Sequence, residues 1–199
     1  MKVLFFVDIH KDVKKARKIA EKSKHADLVV CAGDLSNGEE GFGDVIEELS
    51  KIRKPMLIIP GNNETPEFVE DAVEDYENII PFHNDIYQDQ NIRFLGIGGG
   101  TISPFNTMYE LSEEEFEKLL GKHGKDIDVL VCHCPPKGTE LDLTATGLHV
   151  GSSSIRNWIE ENQPKYCCCG HIHEAAGKKI AIGKTICFNP GPEGVIIEI

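Results

Sequence analysis

The sequence predicts an α/β protein in which two β-sheets pack together with helices outside, within a single domain. Three observations carry that prediction. Five short apolar segments each stop abruptly at polar residues with Gly or Pro close by. Helix-like patterns with recognisable starts fill the intervals. Later in the chain, short strands gather around polar or Gly-containing turns. Continuous apolar runs suit strands covered on both faces, and strand–helix alternation over short loops builds crossover units.

In chain order, "VLFFV" runs into Asp8-Ile9-His10, and "DVKKARKIAEKSK" follows as a helix with Asp12 as a possible cap. "LVVCA" ends at Gly33-Asp34, and "MLIIP" ends at Gly61-Asn62-Asn63-Glu64. "TPEFVEDAVEDY" places Thr65 to cap and Pro66 at the first helical position. "IYQDQNIRFLGIGG" reads as two strands around a polar turn. "SEEEFEKLLGK" carries a capping box, Ser112 with Glu115. "DVLVC" precedes His133-Cys134-Pro135, "GSSSIRNWIEENQP" is a helix stopping at Pro164, and "YCCC" precedes Gly170-His171-Ile172-His173. "GKKIAIGKTICFNPGPEGVIIEI" reads as three short strands. Parallel strands are therefore expected early and antiparallel hairpins later. No linker, repeat or low-complexity stretch interrupts the 199 residues.

Composition narrows the function classes. With 40% apolar and 27% charged residues the chain reads as globular. No apolar run approaches the ~18 residues of a bilayer span, and the N-terminus reads as a first strand rather than a signal peptide. A cytoplasmic location is the resulting expectation. The net charge of −12 argues against a processive nuclease on long nucleic acid, while leaving short or single-nucleotide substrates open. Seven cysteines, an odd number, argue for reduced thiols and against a disulfide framework. Side chains alternate along a strand, so the three of "CCCGH" cannot all face one metal; they read as small hydrophobes. Oligomeric state has no sequence signal.

The five punctuated strand ends pool Asp8, His10, Asp34, Asn62, His133, His171 and His173. Ligands of open α/β sheets bind beyond the carboxyl ends of strands. Each residue alone has an ordinary reading: Asp8 or Asp34 as a helix cap, His133 as an interior histidine, Asn62 as a turn residue. Together they would require five loops to coincide. Four of the chain's eight histidines fall in the set, whereas His25, His83 and His123 read as ordinary surface residues. Seven N and O donors exceed one tetrahedral site but suit two adjacent divalent cations sharing a carboxylate. Such a pair, roughly 3.5–4 Å apart, serves in-line displacement at phosphorus.

In that order these residues resemble the calcineurin-like metallophosphoesterase superfamily, whose pattern D-x-H…G-D…G-N-H-[D/E]…H…G-H-x-H is matched from Asp8 to His173. The stretches "GIGGGTISPFNT", "HVGSSSIRNWIE", "CGHIHEAAG" and "FNPGP" resemble the branch of predicted phosphoesterases related to the Icc cyclic-nucleotide phosphodiesterases. The resemblance implies a four-layer α/β/β/α sandwich. It also implies a first metal on Asp8, His10 and His173, a second on Asn62, His133 and His171, Asp34 bridging, and a metal-bound hydroxide as nucleophile. Mn, Fe, Ni, Co or Zn, manganese among them, all suit such ligands, and the sequence does not choose between them.

One position departs from the pattern. The family's usual His, which contacts phosphate and protonates the leaving oxygen, is here Asn63. An amide can donate a hydrogen bond but has no titratable proton near neutral pH. His149 in "TGLHVGS" is the candidate to supply the missing acid, with an exposed loop histidine as its ordinary reading. Glu64 reads as support behind the metal ligands, and Phe105 and Asn106 as shapers of a substrate pocket. "GIGGG" reads as a strand-ending turn, since it completes neither phosphate-binding glycine motif. The expected function is a phosphoesterase, a phosphodiesterase before a phosphomonoesterase, acting on a small phosphate ester. A nuclease and a non-catalytic scaffold are the competing readings; the retention of all seven donors weighs against the scaffold.

Overall fold

The helix starts are made by the side chains that announced them. In the computed structural model, which describes residues 1–199, Asp12 accepts from the backbone N–H groups of Lys14 and Lys15 at the head of α1 (Val13–Lys22), after β1 (Lys2–Phe6). β2 (Leu28–Cys31), α2 (Phe42–Leu49) and β3 (Met56–Ile58) follow. Thr65 accepts from Phe68 N to start α3 (Pro66–Val73). β4 (Ile79–Pro81), β5 (Asp85–Asp89), β6 (Ile92–Ile97), β7 (Gly100–Thr101) and β8 (Glu110–Leu111) come next. The Ser112–Glu115 capping box opens α4 (Glu113–Gly121). β9 (Val129–Cys132), α5 (Ser153–Asn162), β10 (Tyr166–Cys168), β11 (Lys179–Ile182), β12 (Thr185–Phe188) and β13 (Val195–Glu198) complete the chain.

Two sheets form. One has the order β13-β1-β2-β3-β4, parallel from β1 to β4 with β13 antiparallel at the edge. The other, β11-β12-β10-β9-β6-β5, is parallel from β12 to β6 and antiparallel at both edges. The three C-terminal strands are therefore divided: β11 and β12 make a hairpin in the second sheet, while β13 crosses to pair with β1. Pro190 and Pro192 lie in the crossing segment, where the missing N–H groups prevent a continued ladder. α2 gave no start signal because its N-cap is Gly41, with φ 79° and no capping side chain.

Period-2 alternation sorts the core into layers. From β1, Leu4 and Phe6 pack with α1, α2 and α3, whereas Val3 and Phe5 fill the space between the sheets. From β10 and its end, Cys167 and Cys169 join the core under α4 and α5, and Cys168 faces the inter-sheet core. The result is the four-layer α/β/β/α sandwich. All seven cysteines are buried and unbridged. Glycines of the "GIGGG" turn serve packing, because a Cβ on Gly96 or Gly98 would strike the Phe82 or Pro60 carbonyl. No helix is long and apolar enough to cross a membrane.

Candidate metal centre

The loops after β1, β2, β3, β9 and β10 meet at one end of the inter-sheet core. Asp8 N donates to the Gly33 carbonyl and His10 N to the Asp34 carbonyl, which ties the first loop to the second. Gly170 N donates to the His133 carbonyl, tying the fifth to the fourth. Gly33 and Gly61 pack backbone against backbone, and a Cβ on Gly61 would collide with the Asp34 carboxylate. Only glycine allows that approach. Asp8, His10, Asp34 and His171 all adopt left-handed backbone (φ 58°, 48°, 55° and 70°). Such a conformation costs of order 1 kcal/mol or more per residue and clusters at functional sites.

The donors converge in two groups. Asp8, His10 and His173 present ligand atoms within 4.8 Å of one another, and so do Asp8, Asp34 and His133. Asn62 Oδ1 lies 3.0 Å from His133 Nε2 and 2.7 Å from His171 Nδ1. Asp8 belongs to both groups, and Asp34 Oδ2 links a histidine of each, lying 3.6 Å from both His10 Nε2 and His133 Nε2.

This donor chemistry fits cations. His133 Nδ1 donates to the Ala32 carbonyl at 2.9 Å, so a neutral His133 turns a bare Nε2 lone pair towards the acceptor oxygen of Asn62. His10 Nδ1 is likewise committed to Asn37 Oδ1 at 2.8 Å, aiming Nε2 at His173 Nε2 3.0 Å away. The bare Nε2 of His133 facing an acceptor oxygen is a contact that a cation resolves, and the carbonyl behind His133 and the amide behind His10 fix the tautomers of those two rings.

Electrostatics point the same way. Burial, then the charge of Asp34, pushes Asp8 well above the usual carboxylate range. Burial also opposes ionisation of Asp34, but His133, His10 and two Asn63 hydrogen bonds outweigh it and hold the group low. Burial, then His133, brings His171 down to about 4. Buried carboxylates beside the neutral imidazole of His171 form a site that favours added positive charge.

Asn63 is engaged with Asp34: its Nδ2 donates to Oδ2 at 2.8 Å and its backbone N to Oδ1 at 3.0 Å. Glu64 is buried, and its two oxygens accept from Asp34 N, Ser36 N, Ser36 Oγ and Gly61 N. Burial, then the Asp34 charge, pushes its carboxyl up to about 7. Beside Asn62 and His171 opens a cleft of about 690 Å³ that also touches Phe105, His149 and Lys137. Asn106 is not among its lining residues and occupies a left-handed turn position (φ 48°). A second recess, about 550 Å³, adjoins Asp8, His10 and His173 and includes Lys15. A wider groove of about 760 Å³ beside α5 contains none of the seven donors.

Some residues escaped the sequence reading. Asn37 orients His10, and its signal was only an Asn three positions after Asp34. Asp142 meets His149 Nδ1 at 2.7 Å, visible beforehand only as an Asp separated from that His by turn residues. His83 corrects its surface reading. It is largely enclosed, accepts from Gly98 N at Nδ1, and donates from Nε2 to Tyr109 Oη; burial pushes it down to about 4.

Comparison with known proteins agrees with this geometry. The sequence profile described as calcineurin-like phosphoesterase matches residues 1–175. An uncharacterised protein of Methanocaldococcus jannaschii is 36% identical over 206 residues, covering 99% of this chain and 91% of that protein. A protein named as a probable glycerophosphodiester phosphodiesterase from Arcobacter nitrofigilis is 26% identical over 183 residues, covering 85% of this chain and 65% of that protein. Among solved structures, TT1561 of Thermus thermophilus superposes with a TM-score of 0.74 at 15% identity, covering 96% of this chain and 90% of that one. The chain belongs to the calcineurin-like phosphoesterase family, a family of metal-dependent hydrolases with a dinuclear site.

Proposed function

We propose that this calcineurin-like phosphoesterase hydrolyses a small phosphate ester at a two-cation site, with diesters preferred to monoesters. The observation that carries the reading is one carboxylate oxygen, Asp34 Oδ2, at the same 3.6 Å from a histidine of each donor group. Asp8, His10 and His173 would hold one cation and Asn62, His133 and His171 the other, with Asp34 shared. Two such cations, when bound, would supply Lewis acidity to the phosphate oxygens and lower the pKa of a water towards neutrality.

The chain's own residues do the rest. Asn63 keeps the Asp34 carboxylate oriented through two hydrogen bonds. Glu64 fixes the loops after β2 and β3 to each other. The cleft beside Asn62 and His171 admits the ester, with Lys137 as a cationic wall and Ile102 and Phe105 as an apolar shelf for its organic part. The diester preference is supported by the name of the Arcobacter nitrofigilis relative. Mn, Fe, Ni, Co or Zn suit the mixed N and O donors, manganese among the first to try. Seven unbridged cysteines support a reducing, cytoplasmic location, and the net charge of −12 disfavours long nucleic acid as substrate.

The test is a panel of aryl phosphodiesters and matching monoesters, each assayed with Mn²⁺, Fe²⁺, Co²⁺, Ni²⁺ and Zn²⁺. Metal-dependent turnover that is faster on the diesters is expected. Faster monoester turnover would reverse the preference, and absence of turnover with every metal would return the chain to a binding role.

A further inference from the structure

Asn63 leaves a chemical vacancy that the metal donors do not fill. A departing alkoxide needs a proton, and an amide has none to give near neutral pH. The Asn63 side chain is also committed, with Nδ2 donating to Asp34 and Oδ1 accepting from Gly38 N at 3.2 Å. Four histidines lie outside the metal donors. His25 is exposed in the turn after α1, His83 is enclosed against Gly98 and Tyr109, and His123 pairs with Asn84. His149 is the one that lines the cleft with Asn62 and His171.

Its surroundings are constructed for one orientation. His149 Nδ1 donates to Asp142 Oδ1 at 2.7 Å, and Asp142 is fully buried. That carboxylate also accepts from Thr139 N at 2.8 Å, Gly138 N at 3.0 Å and Gly151 N at 3.1 Å. Burial works against its charge, but the bonds from His149 and these three amides hold Asp142 below the usual range. A residue with a Cβ at Gly151 would strike Asp142 and the Pro135 carbonyl, so glycine is required for the loop to close. Around the turn, Leu143 pairs with His149 and Val150 N donates to the Asp142 carbonyl at 3.1 Å. A buried anion thus fixes Nδ1 as the donor and leaves Nε2 without a protein partner, on an imidazole that borders both the cleft and the groove beside α5.

We infer that His149, held by Asp142, is the acid that protonates the leaving-group oxygen, an inference that rests on the phosphoesterase reading. A water oxygen forms the new bond to phosphorus as the bond to the leaving oxygen breaks, and the electron pair stays on that oxygen. It takes the proton from Nε2 of the imidazolium. The imidazole remains bonded to Asp142 through Nδ1–H, and the proton lost by the attacking water returns through solvent. His149 is the catalytic residue here, and Asp142 is a positioning residue.

The test uses the full chain loaded with Mn²⁺ and phosphodiesters sharing one half but differing in leaving group, from 4-nitrophenoxide to ethoxide. The His149 side chain is 44% exposed, so His149→Ala should keep its thermal midpoint and its metal content by elemental analysis. It should stay within about 3-fold of the parent on the 4-nitrophenyl ester yet lose roughly 10²-fold or more on the ethyl ester, the scale of general-acid assistance. Added imidazole should restore part of the ethyl-ester rate. Asp142→Asn should show the same leaving-group split to a smaller degree. ¹⁵N NMR should find the neutral His149 proton on Nδ1 in the parent and redistributed in that variant. A loss independent of leaving group, or no loss, overturns the inference. Absence of turnover by the parent on the 4-nitrophenyl ester would instead overturn the phosphoesterase reading, and the assignment of His149 with it.

Discussion

Two carboxylates hold the two halves of the site, and they do so differently. Glu64 is 1% exposed and binds loops about thirty residues apart in sequence, taking N–H groups from Asp34, Ser36 and Gly61. Glu110 stands at the cleft mouth and serves only its own loop, accepting from Ser103 N and Oγ and from Thr107 N and Oγ1. Asp8, Asp34, Asn62 and His133 around Glu64 are nearly inaccessible, whereas Phe105 and Ile102 beside Glu110 are 82% and 70% exposed. A cradle cross-linked through its core keeps reacting groups in place. A mouth whose tip is held by one carboxylate of its own loop leaves room for the shape of the bound ester to vary.

The comparison predicts effects of decreasing size. Asp34→Asn removes the charge shared by both donor groups and should lower kcat/KM by roughly 10³-fold or more, equivalent to ~4 kcal/mol of lost transition-state stabilisation. The variant should also lose the rise in thermal midpoint that added Mn²⁺ gives the parent. Comparable turnover in the variant would break the idea that the cradle depends on one shared anion.

Glu64→Ala strands three buried backbone donors and should cost about 3 kcal/mol or more in a urea titration. Glu110→Ala, with water able to replace it, should cost under about 1 kcal/mol. Equal costs would erase the distinction between the two regions.

Acidification should loosen the mouth. Partial burial works against the Glu110 charge, but the Ser103 and Thr107 hydrogen bonds hold its carboxyl down to about 2, against an ordinary 4.5. A depressed folded-state value stabilises the loop fully above pH 4.5, and that contribution is lost as pH falls towards 2. Hydrogen-exchange protection at Ser103 N and Thr107 N should therefore decline between pH 4.5 and 3, and should be flat in Glu110→Ala.

The smallest effect belongs to Phe105→Ala. Stability should stay within about 0.5 kcal/mol, while KM for esters with a large apolar group rises about 3- to 10-fold, from partial loss of one aromatic contact. An unchanged KM across small and large esters would remove Phe105 from the binding surface.

What could be read in advance follows a physical divide. The strands after which Asp8, Asp34, Asn62, His133 and His171 appear are local patterns, because an apolar run ended by Gly or Pro needs no partner to be recognised. Capping by Asp12, Thr65 and Ser112 is equally local. The helix after Gly41 was missed because no side chain caps it, and the crossing of β13 to β1 was missed because strand partners are chosen by distant chain. Within the site, residue type alone denied Asn63 a titratable proton and left it hydrogen bonding. Only the folded chain assigned that bond to Asp34, buried His83 against Tyr109, and brought Asp142 beneath His149. The sequence by itself determined which donors stand at the strand ends. Tertiary structure decided which partner each polar group meets, since hydrogen bonds act over about 3 Å and depend on how separate loops close on one another.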